Sequence, residues 1–294
     1  MIQRTTGEKI FNVFNYIILT LFALTTIYPF LYTLTISVST PAEATTVGLH
    51  ILPNFKALSL DAYRYVMDDN ILWLAYRNTI ARTIIGTVLA LLVTCFYGYA
   101  LSRPNIPFKK FFSSYIMFTM LFSAGQVPAF LNLNDLGLLD TFWVYILPML
   151  IGAYNVIVAK SFFASLPESL NESARIDGAG EFRILFSIVV PLSKPIIMTL
   201  ALWIGVMHWN SWLDSMLYVT DQSKIVLQRY LQRIVGSAAN QLTTSVAVQE
   251  SDMGIVGETI QSASIMVSII PVLAAYPFVQ KYFVKGVTLG AVKG

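Results

Sequence analysis

From Ile10 to Ala42 the chain runs 33 residues without a charged side chain. A helix needs about 20 mostly apolar residues to cross the hydrocarbon core of a bilayer, so this stretch commits the start of the chain to lipid. Arg4 and Lys9 ahead of it resemble the basic region of a signal peptide. The apolar run, however, is far longer than the ~7–15 residues of such a signal, and the sequence predicts a retained signal anchor spanning 11–37. The rest of the chain has the same character. Of 294 residues 56% are hydrophobic and 12% charged, with a mean hydropathy of +0.65, against about 25% charged in a soluble domain. Such a chain cannot clothe a folded body of this size in charge, which argues against a soluble enzyme, a disordered chain and a disulfide-stapled secreted domain. Cys95 is the single cysteine, so no internal disulfide or Cys-based metal cluster is expected, and the two histidines, His50 and His208, lie far apart. A net charge of +3 gives no support to a nucleic-acid partner.

Further apolar segments cover 80–101, 112–131, 141–160, 195–218 and 260–280, giving six spans in a single transmembrane domain over 1–294. Lys and Arg gather on the cytoplasmic side of a membrane protein. With the N-terminus inside, the cytoplasmic segments hold Arg4, Lys9, Arg103, Lys109, Lys110, Lys160, Arg175, Arg183, Lys194, Lys281, Lys285 and Lys293, against five acids. Both termini are therefore expected in the cytoplasm. On the outer side, 38–79 carries the amphipathic stretch 61–77, read as a short surface helix, and 219–259 is polar. Most helix connections take 2–8 residues, but the cytoplasmic link 161–194 is far longer. Pro167 suits a helix start, Gly178 a helix stop, and a second helical stretch from Glu181 is expected to end before Pro191. The link reads as a helix–turn–helix elbow with Gly178 at the turn and Glu168 and Glu172 on its exposed face.

Within that elbow, Glu172-Ser173-Ala174, then three residues, Gly178, nine residues, Ile188, one residue and Val190-Pro191 resembles the EAA loop of ATP-binding-cassette importer permeases. Ser173 and Val190 are mild departures from the pattern. The likeness continues through YGYALSR (97–103), FSAGQVPAFL (122–131), LGLLDTFWVYILP (136–148) and HWNSWLD (208–214), which are similar to carbohydrate permeases of the maltose-permease type. ESARIDGA and the C-terminal KGVTLGAVKG (285–294) resemble the subgroup handling oligosaccharides from polysaccharides. The resemblance implies an all-α integral membrane protein with six transmembrane helices and a cytoplasmic coupling loop. It also implies a second homologous permease in a heterodimer, two ATPase subunits gripping the elbow, an extracytoplasmic solute-binding protein, and a multi-pass location in a bacterial cell membrane. Glu172, Ser173, Ala174, Asp177 and Gly178 would couple to the ATPase, Glu172 by charge and Ala174 by its small size. The chain itself has no G-x-x-x-x-G-K-[ST] loop, so ATP and Mg2+ are expected on the partner ATPase and no cofactor on this chain.

Polar side chains within apolar spans are costly and face a cavity or a helix partner. On one continuous helix, Trp203, Met207, Asn210 and Asp214 would share a face. An indole, an amide and a carboxylate suit a sugar's apolar face and its hydroxyls. Asn210, Asp214, Trp209 and Trp212 are pathway candidates; interfacial anchoring of the tryptophans and a helix contact for Asn210 are the alternatives. His208 reads as a bundle contact. Gln126, beside the helix breaker Pro128, and Asn155 are further pathway candidates, with Tyr154 similar, whereas Gly98 serves close helix packing. A self-sufficient secondary transporter or channel is the competing function, but it calls for ionisable groups at mid-membrane, and Arg82 and Asp214 are expected toward span ends. An intramembrane enzyme has no motif in its favour.

Overall fold

Apolar helix formers dominate the chain, and in the computed structural model the described residues, 6–44, 52–55, 58–243 and 257–291, are mostly helical. Among them the only β contact is an isolated bridge between Ser39 and Leu58. Arg4, His50, Lys293 and most of the polar stretch before Gly257 lie outside the described residues. The helices are α1 (Thr6–Ser37), α2 (Pro41–Ala44), α3 (Asp61–Asp68), α4 (Asn70–Ser102), α5 (Lys109–Leu121), α6 (Gln126–Asp135), α7 (Ala153–Ala164), α8 (Glu168–Ile176), α9 (Glu181–Ile184), α10 (Val190–Leu192), α11 (Lys194–Asn210), α12 (Leu213–Tyr218), α13 (Leu227–Thr243) and α14 (Gly257–Ala291). They form two compact units, one comprising residues 1–70 and 231–272, the other 71–230 and 273–294.

In the first unit, α1 presents apolar side chains from Ile10 to Phe30 with little cover from the rest of the chain. Tyr32 donates to Glu258 (3.0 Å), and the hydroxyls of Ser37 and Tyr63 share a 2.8 Å hydrogen bond that ties the end of α1 to α3. The second unit holds a buried apolar core. Cys95 and Tyr99 of α4, Ala159 and Phe163 of α7, Ala174 of α8, Ile184 and Leu185, Val189 and Leu200 pack into one cluster. A Cβ on Gly98 would come within 2.8 Å of the Ala159 Cβ and 3.1 Å of the Lys160 backbone nitrogen. That glycine therefore sets how closely α4 and α7 approach.

Three helices, within Gly7–Ser37, Asn70–Ser102 and Gly257–Ala274, are each long and apolar enough to cross a membrane, and three bent pairs raise the total to six if each pair is one span. The bends correct several expectations. The segment 70–79 continues into α4 after a break at Asp69 alone, because nothing between Asn70 and Arg77 stops a helix. The third apolar segment breaks at Phe122–Gly125 and bends by 116°. Pro128 is not the breaker: it lies in the first turn of α6, where its missing N–H has no intrahelical acceptor to lose. The fourth, 141–160, opens as 3-10 turns at Phe142–Tyr145 and Leu147–Met149 before α7, a 48° bend at Pro148 and Gly152. The third bent pair joins Glu181–Leu192 of the elbow to α11 at 86°, and the fifth segment, 195–218, ends its helix at Asn210 and restarts at Leu213. The second stretch of the elbow also runs past Pro191: a π-helical turn, Leu185–Val189, widens the backbone ahead of the proline and eases the clash its ring would make.

Candidate functional site

The elbow, 165–193, is a structured element tied to α4. Helix α8 ends in a Schellman motif: Gly178 donates to the Arg175 carbonyl (3.0 Å) and Ala179 to the Ala174 carbonyl (2.9 Å). Gly178 has φ +78°, a left-handed conformation that costs a side-chain-bearing residue about 1–2 kcal/mol. Arg103, just past the end of α4, donates to Glu168 (3.2 Å) and to Asn171 Oδ1 (3.0 Å), and its guanidinium lies 4.3 Å from the Tyr99 ring centroid. Tyr99 donates to Glu181 Oε2 (2.5 Å), whose other oxygen accepts from Arg175 Nε (2.9 Å). The Tyr99 hydroxyl, and after it Arg175, hold the Glu181 carboxyl below the usual range against an opposing effect of burial. α4, α8 and α9 are thus joined by one network. Ile176 and Phe182 are 86% and 72% exposed, and the Phe182 ring meets Phe96 of α4 edge-on at 5.9 Å.

Of the coupling residues named from sequence, Glu172, Ser173, Asp177 and Gly178 face outward. Ala174 does not. Its methyl is buried and packs into the core against α4 and α7. Sequence reasoning missed Arg103, Asn171 and Arg175 as ties, because their partners lie across the fold. Ile176 and Phe182 were detectable as apolar residues beside a turn.

A second constellation surrounds the break after α11. Arg82, 0% exposed, donates to both carboxylate oxygens of Asp214 (3.3 and 2.5 Å) and to the Ser211 carbonyl (3.3 Å), and its guanidinium carbon lies 4.6 Å from the Tyr145 ring centroid. Asp214 is therefore not on a common stripe with Trp203 and Asn210: it sits on a separate short helix with its charge taken up by Arg82. Arg82 lies in α4, twelve residues after its first residue, Asn70. Asn210 is exposed as the last residue of α11, Gln126 is exposed as the first of α6, and Asn155 is half-buried on α7. Among the described residues these three side chains make no hydrogen bond. Trp209 and Trp212 are half-buried, Trp212 in the break itself. Tyr154 and Trp203 meet with ring centroids 5.7 Å apart. His208 is buried with its ring over Gly86 of α4, a helix contact, and neither ring nitrogen has a partner among the described residues. No cluster of three His, Cys, Asp or Glu that could hold a metal occurs among them either.

An all-helical chain with long apolar helices and a polar elbow is the framework of a membrane transport component. The chain belongs to the family of binding-protein-dependent transport system inner membrane components, which it matches over residues 3–289. It is a membrane permease, and the family's dependence on a binding protein sets aside a self-sufficient secondary transporter or channel. Among curated relatives, the polygalacturonan/rhamnogalacturonan transport system permease protein YtcP of Bacillus subtilis is 38% identical over 98% of this chain and 99% of its own length. Protein LplC of the same organism is 37% identical over 99% of this chain and 98% of its own length. The solved structure of a bacterial ABC transporter involved in import of the acidic polysaccharide alginate superposes with a TM-score of 0.83 at 35% identity, covering 96% of this chain and 100% of that one. A second chain, from an alginate transporter in complex with its periplasmic protein, shares the fold at 15% identity and a TM-score of 0.55, over 94% of this chain and 96% of that one.

Proposed function

We propose that this chain is one of two permease subunits of an ATP-driven carbohydrate importer, forming half of the pathway for an oligosaccharide delivered by an extracytoplasmic binding protein. The observation that carries the reading is the elbow. A loop held to the membrane helix α4 by Arg103, Tyr99 and Glu181 can pass on a push, which a free linker cannot. In this reading the chain is a single permease domain in a bacterial cell membrane. Helices α1, α4, α5 with α6, the 142–164 segment, α11 with α12, and α14 make six crossings, and both termini and the elbow face the cytoplasm. Glu172, Ser173 and Asp177, with the apolar tips of Ile176 and Phe182, meet one of two ATPase subunits, and Gly178 shapes the turn between them. ATP and Mg2+ are handled there, since this chain has no phosphate-binding loop.

The carbohydrate assignment draws on YtcP and the alginate importer, whose name and description refer to polysaccharides. The free amides of Asn210, Gln126 and Asn155, with the indoles of Trp209 and Trp212, supply donors, acceptors and flat apolar faces of the kind a sugar needs. The test is Gly178→Leu in the assembled importer. We expect ATPase copurification to weaken and substrate-stimulated ATP hydrolysis to fall about tenfold, the scale of the 1–2 kcal/mol needed to force that turn. Unchanged stimulated hydrolysis in an assembled Gly178→Leu complex overturns the coupling role.

A further inference from the structure

The function above leaves Arg82 without a task. A buried ion pair is a weak source of stability, since apolar residues of the same volume serve as well or better; a guanidinium kept inside an apolar helix therefore calls for another reason. Its donors converge on one place. Nη1 reaches the Ser211 carbonyl at the break and Asp214 Oδ1, and Nη2 reaches Asp214 Oδ2. Asp214 Oδ1 also accepts the backbone N–H of Ser215 (2.8 Å). Tyr145, beneath the guanidinium, donates to the Lys224 carbonyl and shares a hydrogen bond with the Ser215 hydroxyl, both at 2.9 Å.

Neighbouring side chains of α4 grip the same segment further along. Asn78 Nδ2 donates to the carbonyls of Ser223 (2.8 Å) and Ile225 (3.0 Å), and Thr79 Oγ1 accepts the backbone N–H of Leu227 (2.8 Å). Residues 78, 79 and 82 lie on neighbouring turns of α4 and hold the chain from Ser211 to Leu227. No proline or glycine explains why α11 stops at Asn210. At Ser211 the backbone turns extended (φ −73°, ψ 129°), and the carbonyl this releases accepts from Arg82.

We propose that the Arg82–Asp214 pair is the pin that fixes the break between α11 and α12, and that through it the pair positions Asn210 and Trp212 in the translocation pathway. The pair touches no ligand; it is a positioning pair. The inference rests on the reading of Asn210 and Trp212 as pathway groups, and its test separates the two. In a Cys95→Ala background, Asn210→Cys reports its own accessibility through its rate of labelling by a water-soluble methanethiosulfonate, taken relative to Asn134→Cys on α6.

Two variants are added in turn. Arg82→Lys keeps the charge but loses the planar fork that reaches Asp214 and Ser211 together; Asp214→Asn keeps the shape but loses the charge. Each is expected to change the relative labelling rate roughly 2–30-fold, the range of coupling carried by such networks, while the permease still copurifies with its ATPase. A labelling rate equal to the parent's in either assembled variant overturns the pin. Loss of assembly in both assigns the pair to folding and overturns it as well. The pathway reading is scored separately by uptake of an oligogalacturonide mixture in Asn210→Ala. Unchanged uptake there removes the pathway role, whereas a shifted labelling rate still supports the pin.

Discussion

Gly98 and Glu181 show how single residues set this fold. A methyl at Gly98 would stand 2.8 Å from the Ala159 Cβ and 3.1 Å from the Lys160 backbone nitrogen, and neither neighbour has a flexible end to move aside. We expect Gly98→Val to destabilise the permease by about 1–3 kcal/mol, the cost of overpacking a filled core, read as a lower melting temperature in detergent. Glu181 bears on pH. Its folded-state carboxyl is held below the usual range, first by the Tyr99 hydroxyl and then by Arg175. Its contribution to stability is therefore present above the unfolded pKa, about 4.3, and is lost as pH falls through the folded value. Hydrogen exchange of the 168–184 amides should lose protection over that acid interval in the wild-type protein, and Glu181→Gln should flatten the dependence. The same acid response in both proteins would show that this carboxylate does not hold the elbow.

At the scale of elements, the elbow and the broken helices divide the work. The elbow's start and turn were legible because each is a local event: Pro167 opens α8, and Gly178 closes it with two backbone hydrogen bonds, whereas its second stretch runs on through Pro191. The face on which Ala174 lies was not legible, since which side of α8 meets α4 and α7 depends on the packing of three helices. The breaks separate in the same way. Pro148 and Gly152 announce the one before α7, whereas the one after Asn210 has no sequence signal and coincides with a buried guanidinium from a helix more than 120 residues earlier. A hydropathy stripe drawn through it therefore joined Asn210 to Asp214 wrongly.

For the whole molecule, three helices are long and apolar enough to cross a membrane, and six segments are if each bent pair counts as one span. The barely covered apolar side chains of α1 give the most direct check. With Cys95→Ala, a cysteine at Phe22 should react with a lipid-soluble maleimide and resist a water-soluble one. Equal reaction with the aqueous reagent would remove α1 from the bilayer.

By itself the sequence determined the class of environment, the helical architecture, the elbow and the family resemblance. These follow from composition, from uninterrupted apolar runs and from turn residues whose preferences are intrinsic to the backbone. Only the tertiary structure decided where the apolar segments bend, which way Ala174 points, and that Asp214 belongs to Arg82. Those outcomes depend on partners far away in the chain, and a burial or an ion pair between them has no local residue pattern to announce it.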